Sequence, residues 1–163
     1  MCAANLQDWA DSKYLGPMPS ELVAIHQLAC GLEFVHEKSY VHRDICPANI
    51  LIHIGGDRLI ISDFGLCKQV HASGAFTVTQ HNGQKKWLAP ERIQEMNDST
   101  YRVTNDCDTW AMGCVFYFFI TKGSHPFDDG EVSTKILNNI TEGKYNVESK
   151  SFFFHILKFG CNS

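Results

Sequence analysis

The chain has 163 residues, 44% of them hydrophobic, which is enough for one globular domain with its own core. The net charge of -4 offers no basic field for nucleic acid, and the seven cysteines, without a C-x-x-C pair, fit neither a disulfide framework nor a zinc site. The longest apolar stretch, residues 110–120, reaches about half of the ~20 residues needed to cross a bilayer, so we expect no membrane segment.

The first predicted helix covers residues 20–37. Apolar residues recur there at spacings of three and four, as on the buried stripe of an amphipathic helix. Pro17 and Pro19 mark its approach. We expect its core side to consist of Leu22, Ile25, Leu28, Ala29, Leu32 and Val35.

A β-hairpin is predicted next. Two runs rich in β-branched residues, 50–54 and 59–61, flank a Gly-Gly-Asp turn. If Gly56 lies at the centre of that turn, Leu51 pairs with Ile61. The sequence therefore predicts a short antiparallel ribbon with this register.

Three polar side chains lie beside the hairpin. The expected register sets Asn49 opposite Asp63, and an amide oxygen beside a carboxylate makes a hard-oxygen site suited to Mg²⁺. Asp44 lies five residues before Asn49, in a loop where it can accept a proton from a hydroxyl nucleophile near a metal-bound phosphate. Each residue alone is weak evidence for a catalytic site, since Asp and Asn in loops usually form turns or helix caps.

The rest of the chain alternates loop and helix. Residues 68–86 are polar without a sustained period and predict a long surface loop. Short helices are expected at 91–96 and 131–141, and residues 104–121 should form a central helix that is apolar nearly all round. Residues 151–163 form an aromatic tail whose apolar surface would be exposed, which argues against a native ending.

Three motifs follow one another in a specific order. They are H-R-D-x-x-x-x-N at 42–49, D-F-G at 63–65 and A-P-E at 89–91. This is the protein-kinase set of catalytic loop, metal-binding Asp and end of the activation segment. Over roughly residues 2–148 the chain therefore resembles the C-terminal lobe of a protein kinase.

The resemblance implies an α+β fold. We expect a mostly α-helical kinase C-terminal lobe with a short β-hairpin at the active site and no N-terminal lobe, because no G-x-G-x-x-G precedes the catalytic loop. Residues 1–150 would be a partial kinase domain, from the end of the hinge to about helix G, and 151–163 a divergent tail.

Roles follow from the same resemblance. Asp44 would be the general base, and Asn49 would support it in catalysis. Asn49 and Asp63 would hold Mg²⁺. ATP would be the phosphoryl donor, with its adenine against the Cys2 backbone and Leu51 as the floor of its pocket.

A closer resemblance is to the inositol-requiring endoplasmic-reticulum stress-sensor kinase/endoribonucleases. Residues 61–68, 87–91 and 113–127 carry it, together with the hinge-like Cys2-Ala3-Ala4. It implies a protein substrate or autophosphorylation, a dimer, a link to the unfolded-protein response, and a position on the cytosolic side of the endoplasmic reticulum through other regions.

Two further roles come from the kinase resemblance. Asp108, at the start of the central helix, would anchor the catalytic loop from below. Arg43 would pair with a phosphate on Ser73, Thr77 or Thr79 in the activation segment.

Two departures from the kinase pattern leave alternatives open. Cys46 stands where serine/threonine kinases usually have Lys, and Gln84 replaces the usual Thr. Losing the Lys removes a positive charge from the transferring phosphate. The alternatives to a serine/threonine kinase are a pseudokinase-like module that binds without transferring phosphate, and a fragment that does not fold stably.

Overall fold

A computed structural model describes residues 1–70, 76–78, 83–95, 101–130 and 135–145. Within these residues the strands are β1 (Cys2–Asn5), β2 (Tyr40–Val41), β3 (Ile50–His53), β4 (Leu59–Ile61), β5 (Lys68–Gln69), β6 (Phe76–Val78) and β7 (Tyr101–Val103). The helices are α1 (Leu6–Ala10), α2 (Glu21–Glu37), α3 (Pro90–Gln94), α4 (Asp106–Ile120) and α5 (Lys135–Thr141). Turns of 3₁₀ helix lie at Pro47–Asn49, Phe64–Leu66 and Lys85–Trp87.

Helix α4 forms the centre of the core, as its apolar sequence predicts. Most of its side chains are buried, from Cys107 to Phe119. Aromatic rings attach neighbouring segments to it: Trp9 packs on Phe119, Trp87 meets Phe118 edge-on, and Trp110 stacks on Phe127. The described part of the chain is thus a mainly helical lobe with a small sheet, the expected fold class.

Helix α2 forms where its period predicts, but its buried stripe is narrower than expected. Leu28, Leu32 and Val35 are buried, and so is Ala24, which the prediction omitted. Leu22 is 79% exposed and Ala29 is also exposed, so these two assignments were wrong. The helix packs mainly on β4 and α4.

The hairpin forms, but its predicted register was wrong by one residue. Strand β3 pairs with β4 so that Ile50, not Leu51, faces Ile61. His53 N–H donates to the Arg58 carbonyl at 2.9 Å, so the loop has an even number of residues and its centre lies between Gly55 and Gly56. Asn49 therefore lies opposite Ser62, whose N–H donates to the Asn49 carbonyl at 2.9 Å, and Asp63 is one residue farther on.

Gly56 is the position where the turn tolerates no side chain. Its φ is +67°, and a Cβ atom there would lie 2.2 Å from the Pro17 carbonyl oxygen. We expect Gly56→Ala to cost about 3 kcal/mol of unfolding free energy, since backbone strain adds to the clash. Gly130 is the matched control, because its φ is +78° with nothing within 4 Å of the added carbon, and Gly130→Ala should cost only about 1 kcal/mol. Equal losses in urea denaturation would show that the Pro17 contact does not matter.

The segment predicted as a loop, residues 68–86, contains regular structure. Strand β5 pairs with β2, and β6 pairs with β7. Both strands are very short and their partners are distant in sequence, so no local hydrophobic periodicity predicts them. Helix α3 lies close to the helix predicted at 91–96, and α5 is the described part of the helix predicted at 131–141. The 151–163 tail lies outside the described residues. None of the described helices has the length and apolarity required to span a bilayer.

Candidate active site

The Asp44 carboxylate is held from two sides. The Asn49 side-chain amide donates to Oδ2 at 2.9 Å and to the Asp44 carbonyl at 2.8 Å. From a segment forty residues away, the Gln84 backbone N–H donates to Oδ1 at 3.0 Å. Two donors thus fix the direction of a carboxylate that remains only partly buried. The structure brings Asp44 and Asn49 together as predicted, while the Gln84 contact has no signal in the local sequence.

Asp108 supports this loop from beneath, as the resemblance implies. Its side chain is 1% exposed and accepts the backbone N–H groups of His42 at 2.7 Å and Arg43 at 2.8 Å. His36 donates through Nε2 to the same carboxylate at 3.0 Å. Arg43 has a φ of 71°, a left-handed conformation that costs a residue with a side chain roughly 1–2 kcal/mol. Asp108 compensates by hydrogen bonding the amide of that strained residue.

Asp63 also adopts a left-handed backbone, with φ 59° and ψ 70°, and its Oδ1 accepts the Gly65 N–H at 3.2 Å. Beside it, the Phe64 ring meets His42 edge-on with centroids 4.9 Å apart. The His42 Nε2–H donates to the Ser62 carbonyl at 2.9 Å, which ties the D-F-G turn to the catalytic loop. Asn49 and Asp63 therefore lie on neighbouring, mutually braced segments.

The donor chemistry fits a magnesium ion bound together with phosphate. Within the described ranges no group of three or more His, Cys, Asp or Glu side chains could hold a metal by itself. Asn49 uses its NH₂ group on Asp44, so its carbonyl oxygen stays available as a hard ligand beside the exposed Asp63 carboxylate. Mg²⁺ typically takes one or two protein carboxylates and completes its shell with water and substrate phosphates.

Cys46 is a buried, protonated thiol. Its side chain is 0% exposed. The pKa of Cys46 is raised to about 11, mainly by burial and to a smaller extent by the nearby Asp44 and Asp63 carboxylates, while backbone hydrogen bonds oppose part of the effect. The residue therefore brings no positive charge to the site where serine/threonine kinases usually carry Lys.

We expect Cys46 to resist iodoacetamide at pH 8 in the native protein. Only roughly one thiol in a thousand would be ionised at that pH, and its surface is inaccessible. The exposed Cys2 and Cys30 provide the internal comparison in peptide mass spectrometry. Labelling of Cys46 as rapid as that of Cys2 before urea is added would contradict this assignment.

The predicted adenine contacts lie along the small sheet, where β1 joins the edge of β3. Cys2 is paired with His53 and Asn5 with Leu51, with a bulge between Cys2 and Ala4. Cys2 is therefore about 13 Å along the strand from Asn49, and the half-buried Leu51 lies between them. Their roles toward ATP remain predictions.

The turn that carries Gln84 is anchored by Trp87. The indole is 5% exposed and meets the rings of Phe118 at 5.7 Å and His125 at 4.7 Å, both edge-on. Arg92 on α3 is buried and donates through a terminal nitrogen to the Arg43 carbonyl at 3.5 Å. These contacts join the A-P-E segment to the catalytic loop.

His125 makes the stability of this anchor depend on pH. Burial lowers the pKa of His125 from 6.5 to about 4, with the Lys86 backbone opposing part of that effect. As pH falls, His125 therefore takes up a proton in the unfolded chain before it does so in the folded chain. The free energy of unfolding should decrease by about 3 kcal/mol between pH 6.5 and pH 4. Urea denaturation across this range measures the loss, and His125→Phe should flatten the slope. An unchanged slope in that variant would refute the assignment.

The predicted phosphate contact of Arg43 remains a prediction. The Arg43 side chain donates through Nε to the Leu66 carbonyl at 2.6 Å, which directs it toward the start of the activation segment. Thr77 lies on β6 opposite Arg102, while Ser73 and Thr79 fall outside the described residues.

A lobe built on a central buried helix, with the H-R-D loop hydrogen bonded to the start of that helix and the D-F-G turn braced against the loop, is the architecture of a protein kinase C-terminal lobe. The chain belongs to the protein kinase domain family, whose model matches residues 5–155. It is 38% identical over 138 residues to serine/threonine-protein kinase/endoribonuclease IRE2 of Homo sapiens, covering 79% of this chain and 14% of that protein.

Two more relatives have the same designation. Serine/threonine-protein kinase/endoribonuclease IRE1 of Hypocrea jecorina is 31% identical over 185 residues, covering 90% of this chain and 15% of that protein. Serine/threonine-protein kinase/endoribonuclease ire-1 of Caenorhabditis elegans is 33% identical over 160 residues, covering 90% of this chain and 15% of that protein. These matches confirm the closer resemblance read from the sequence, and the chain spans about one seventh of the length of these relatives.

Proposed function

We propose that the chain is part of a serine/threonine protein kinase that transfers the γ-phosphate of ATP to a protein hydroxyl. One observation carries the proposal: the Asp44 carboxylate is held between the Asn49 amide and the Gln84 N–H. A base fixed in this way, with its carboxylate still partly accessible, suits proton transfer from an incoming hydroxyl.

Each predicted residue has a part in that reaction. Asp44 would orient the acceptor hydroxyl and receive its proton, while Asn49 holds the Asp44 side chain in place. Asn49 and Asp63 would hold Mg²⁺, and Cys2 and Leu51 would hold the adenine of ATP. When bound, Mg²⁺ would offset the charge that develops on the phosphate oxygens. The acceptor would be another protein or the chain itself.

The similarity to the IRE proteins extends the proposal to a cellular setting. Through that resemblance we propose a link to the unfolded-protein response, on the cytosolic side of the endoplasmic reticulum, and a kinase that works as a dimer. The basis is sequence similarity to proteins designated serine/threonine-protein kinase/endoribonuclease.

A second candidate function is a pseudokinase-like binding module, and Cys46 favours it. The thiol is buried and uncharged, so the chain offers no cation at this position to stabilise the transferring phosphate. Such a module would keep the braced loop and the Mg²⁺ ligands and would bind nucleotide or a protein partner without turnover.

Phosphate transfer distinguishes the two. The chain is incubated with Mg²⁺ and γ-labelled ATP and with serine- or threonine-containing peptides, and phosphopeptides are identified by mass spectrometry. The kinase proposal predicts Mg²⁺-dependent phosphoserine or phosphothreonine. Saturable binding of Mg²⁺·ATP without any phosphopeptide would instead support the binding module.

A further inference from the structure

The Gln84 contact shows which part of the chain borders the approach to Asp44. Its backbone N–H bonds Asp44 Oδ1 at 3.0 Å, and the next three residues, Lys85–Trp87, form a 3₁₀ turn. Consecutive Cα atoms are about 3.8 Å apart, so the Cα atoms of Lys85 and Lys86 lie within about 8 Å of the Cα of Gln84, the residue that bonds the proposed base. A peptide that approaches Asp44 from the side of Gln84 would therefore pass beside this turn.

The turn is fixed in position and directs its charge outward. Trp87 is buried against Phe118 and His125, which anchors one end, and the Gln84 hydrogen bond anchors the other. Lys85 and Lys86 are both exposed. The turn therefore places two adjacent cations near the proposed base, in a chain whose net charge is -4.

We infer that Lys85 and Lys86 select substrates with acidic residues beside the acceptor serine or threonine. This inference rests on the proposed function, because it takes Asp44 as the point that the hydroxyl must reach. Ammonium groups on an anchored turn attract carboxylates and repel lysine or arginine in the same peptide. The contribution is that of exposed charge pairs, so it affects the choice of substrate more than the strength of binding.

The same selection disfavours the chain's own activation segment as a substrate. Ser73, Thr77 and Thr79 lie in the sequence H-A-S-G-A-F-T-V-T-Q-H, which has no acidic residue. By this criterion, phosphorylation of a separate acidic protein is preferred over modification of residues 71–81.

The test measures peptide binding without nucleotide, so it does not depend on phosphate transfer. The ¹⁵N-labelled chain is titrated with three acetylated pentapeptides of equal length, each with a central serine flanked by two Glu, two Ala or two Lys residues on either side. Amide shifts of residues 84–87 report the site, and titration curves give the affinities. We expect the Glu peptide to bind about tenfold more tightly than the Lys peptide at low salt.

A pair of double variants separates the effect of the turn from the effect of the net charge of the chain. Lys85→Glu/Lys86→Glu should abolish or reverse the preference, and Lys13→Glu/Lys144→Glu, which changes the net charge equally at exposed sites, should leave it intact. If the double reversal fails to fold, Lys85→Gln/Lys86→Gln serves instead and should remove the preference. Equal affinities for the three peptides, no binding of any peptide, or a preference that survives in the turn variants would overturn the inference.

Failure of this inference can be told apart from failure of the proposed function. A chain that prefers acidic peptides but never transfers phosphate refutes the kinase proposal alone. A chain that phosphorylates peptides without regard to their charge refutes the role of the two lysines alone.

Discussion

Replacing Asp108 with alanine is expected to lower the unfolding free energy by about 3–5 kcal/mol. The carboxylate is 1% exposed and accepts hydrogen bonds from the backbone of His42 and Arg43 and from His36, besides a long one of 3.9 Å from the Cys107 thiol. Alanine would leave two backbone donors without this acceptor in a buried site, and each lost partner costs about 1–3 kcal/mol. Urea denaturation followed by tryptophan fluorescence measures the change.

Asp106→Ala is the matched control for that experiment. Asp106 begins the same helix and has the same charge, but it is exposed and its described bonds are local, to Thr104. Asp106→Ala should lower the free energy of unfolding by less than about 1 kcal/mol. If the two variants lose the same stability, the hydrogen bonds to Asp108 do not support the loop as described.

The Asp108 contacts also connect the stability of the loop to the position of Asp44. Arg43 keeps its φ of 71° because Asp108 accepts its amide, and Asp44 follows immediately. Without that acceptor the strained residue would relax, and the Asp44 carboxylate would lose its alignment with Asn49 and Gln84. We therefore expect the folded fraction of Asp108→Ala to lose phosphate transfer as well.

Patterns of apolar residues predicted the helices well and their exact contacts less well. The period of α2 and the apolar length of α4 were sufficient to predict both, because burial sets these patterns directly. The register of the hairpin was not predictable in this way, since the number of loop residues decides it and Gly55-Gly56 allows more than one turn. The short strands β5 and β6 depend on distant partners and give no periodic signal.

The candidate site was predictable where motif order specifies it. Asp44, Asn49 and Asp63 were named from spacing and resemblance, and the structure bonds the first two directly while bracing the third through His42. The missing part was the contribution of Gln84, which acts through its backbone N–H. A backbone donor is independent of side-chain identity, so the residue type at position 84 could not reveal it.

Asp44→Asn is expected to reduce phosphate transfer at least a hundredfold, about the lower limit for loss of a general base. The carboxamide has nearly the same size, but it is a far weaker proton acceptor and presents an NH₂ group to one of the two donors that hold the carboxylate. Asp11→Asn removes the same charge at an exposed position and should retain the wild-type rate.

The most direct measurement is the initial rate of Mg²⁺-dependent phosphate transfer by the wild type and Asp44→Asn at saturating ATP, with bound ATP quantified for both. A kinase site organised around Asp44 predicts similar ATP binding in the two proteins and a rate at least about a hundredfold lower in the variant. An Asp44→Asn rate within a few-fold of the wild type would contradict that account, as would a wild-type chain that binds Mg²⁺·ATP and transfers no phosphate.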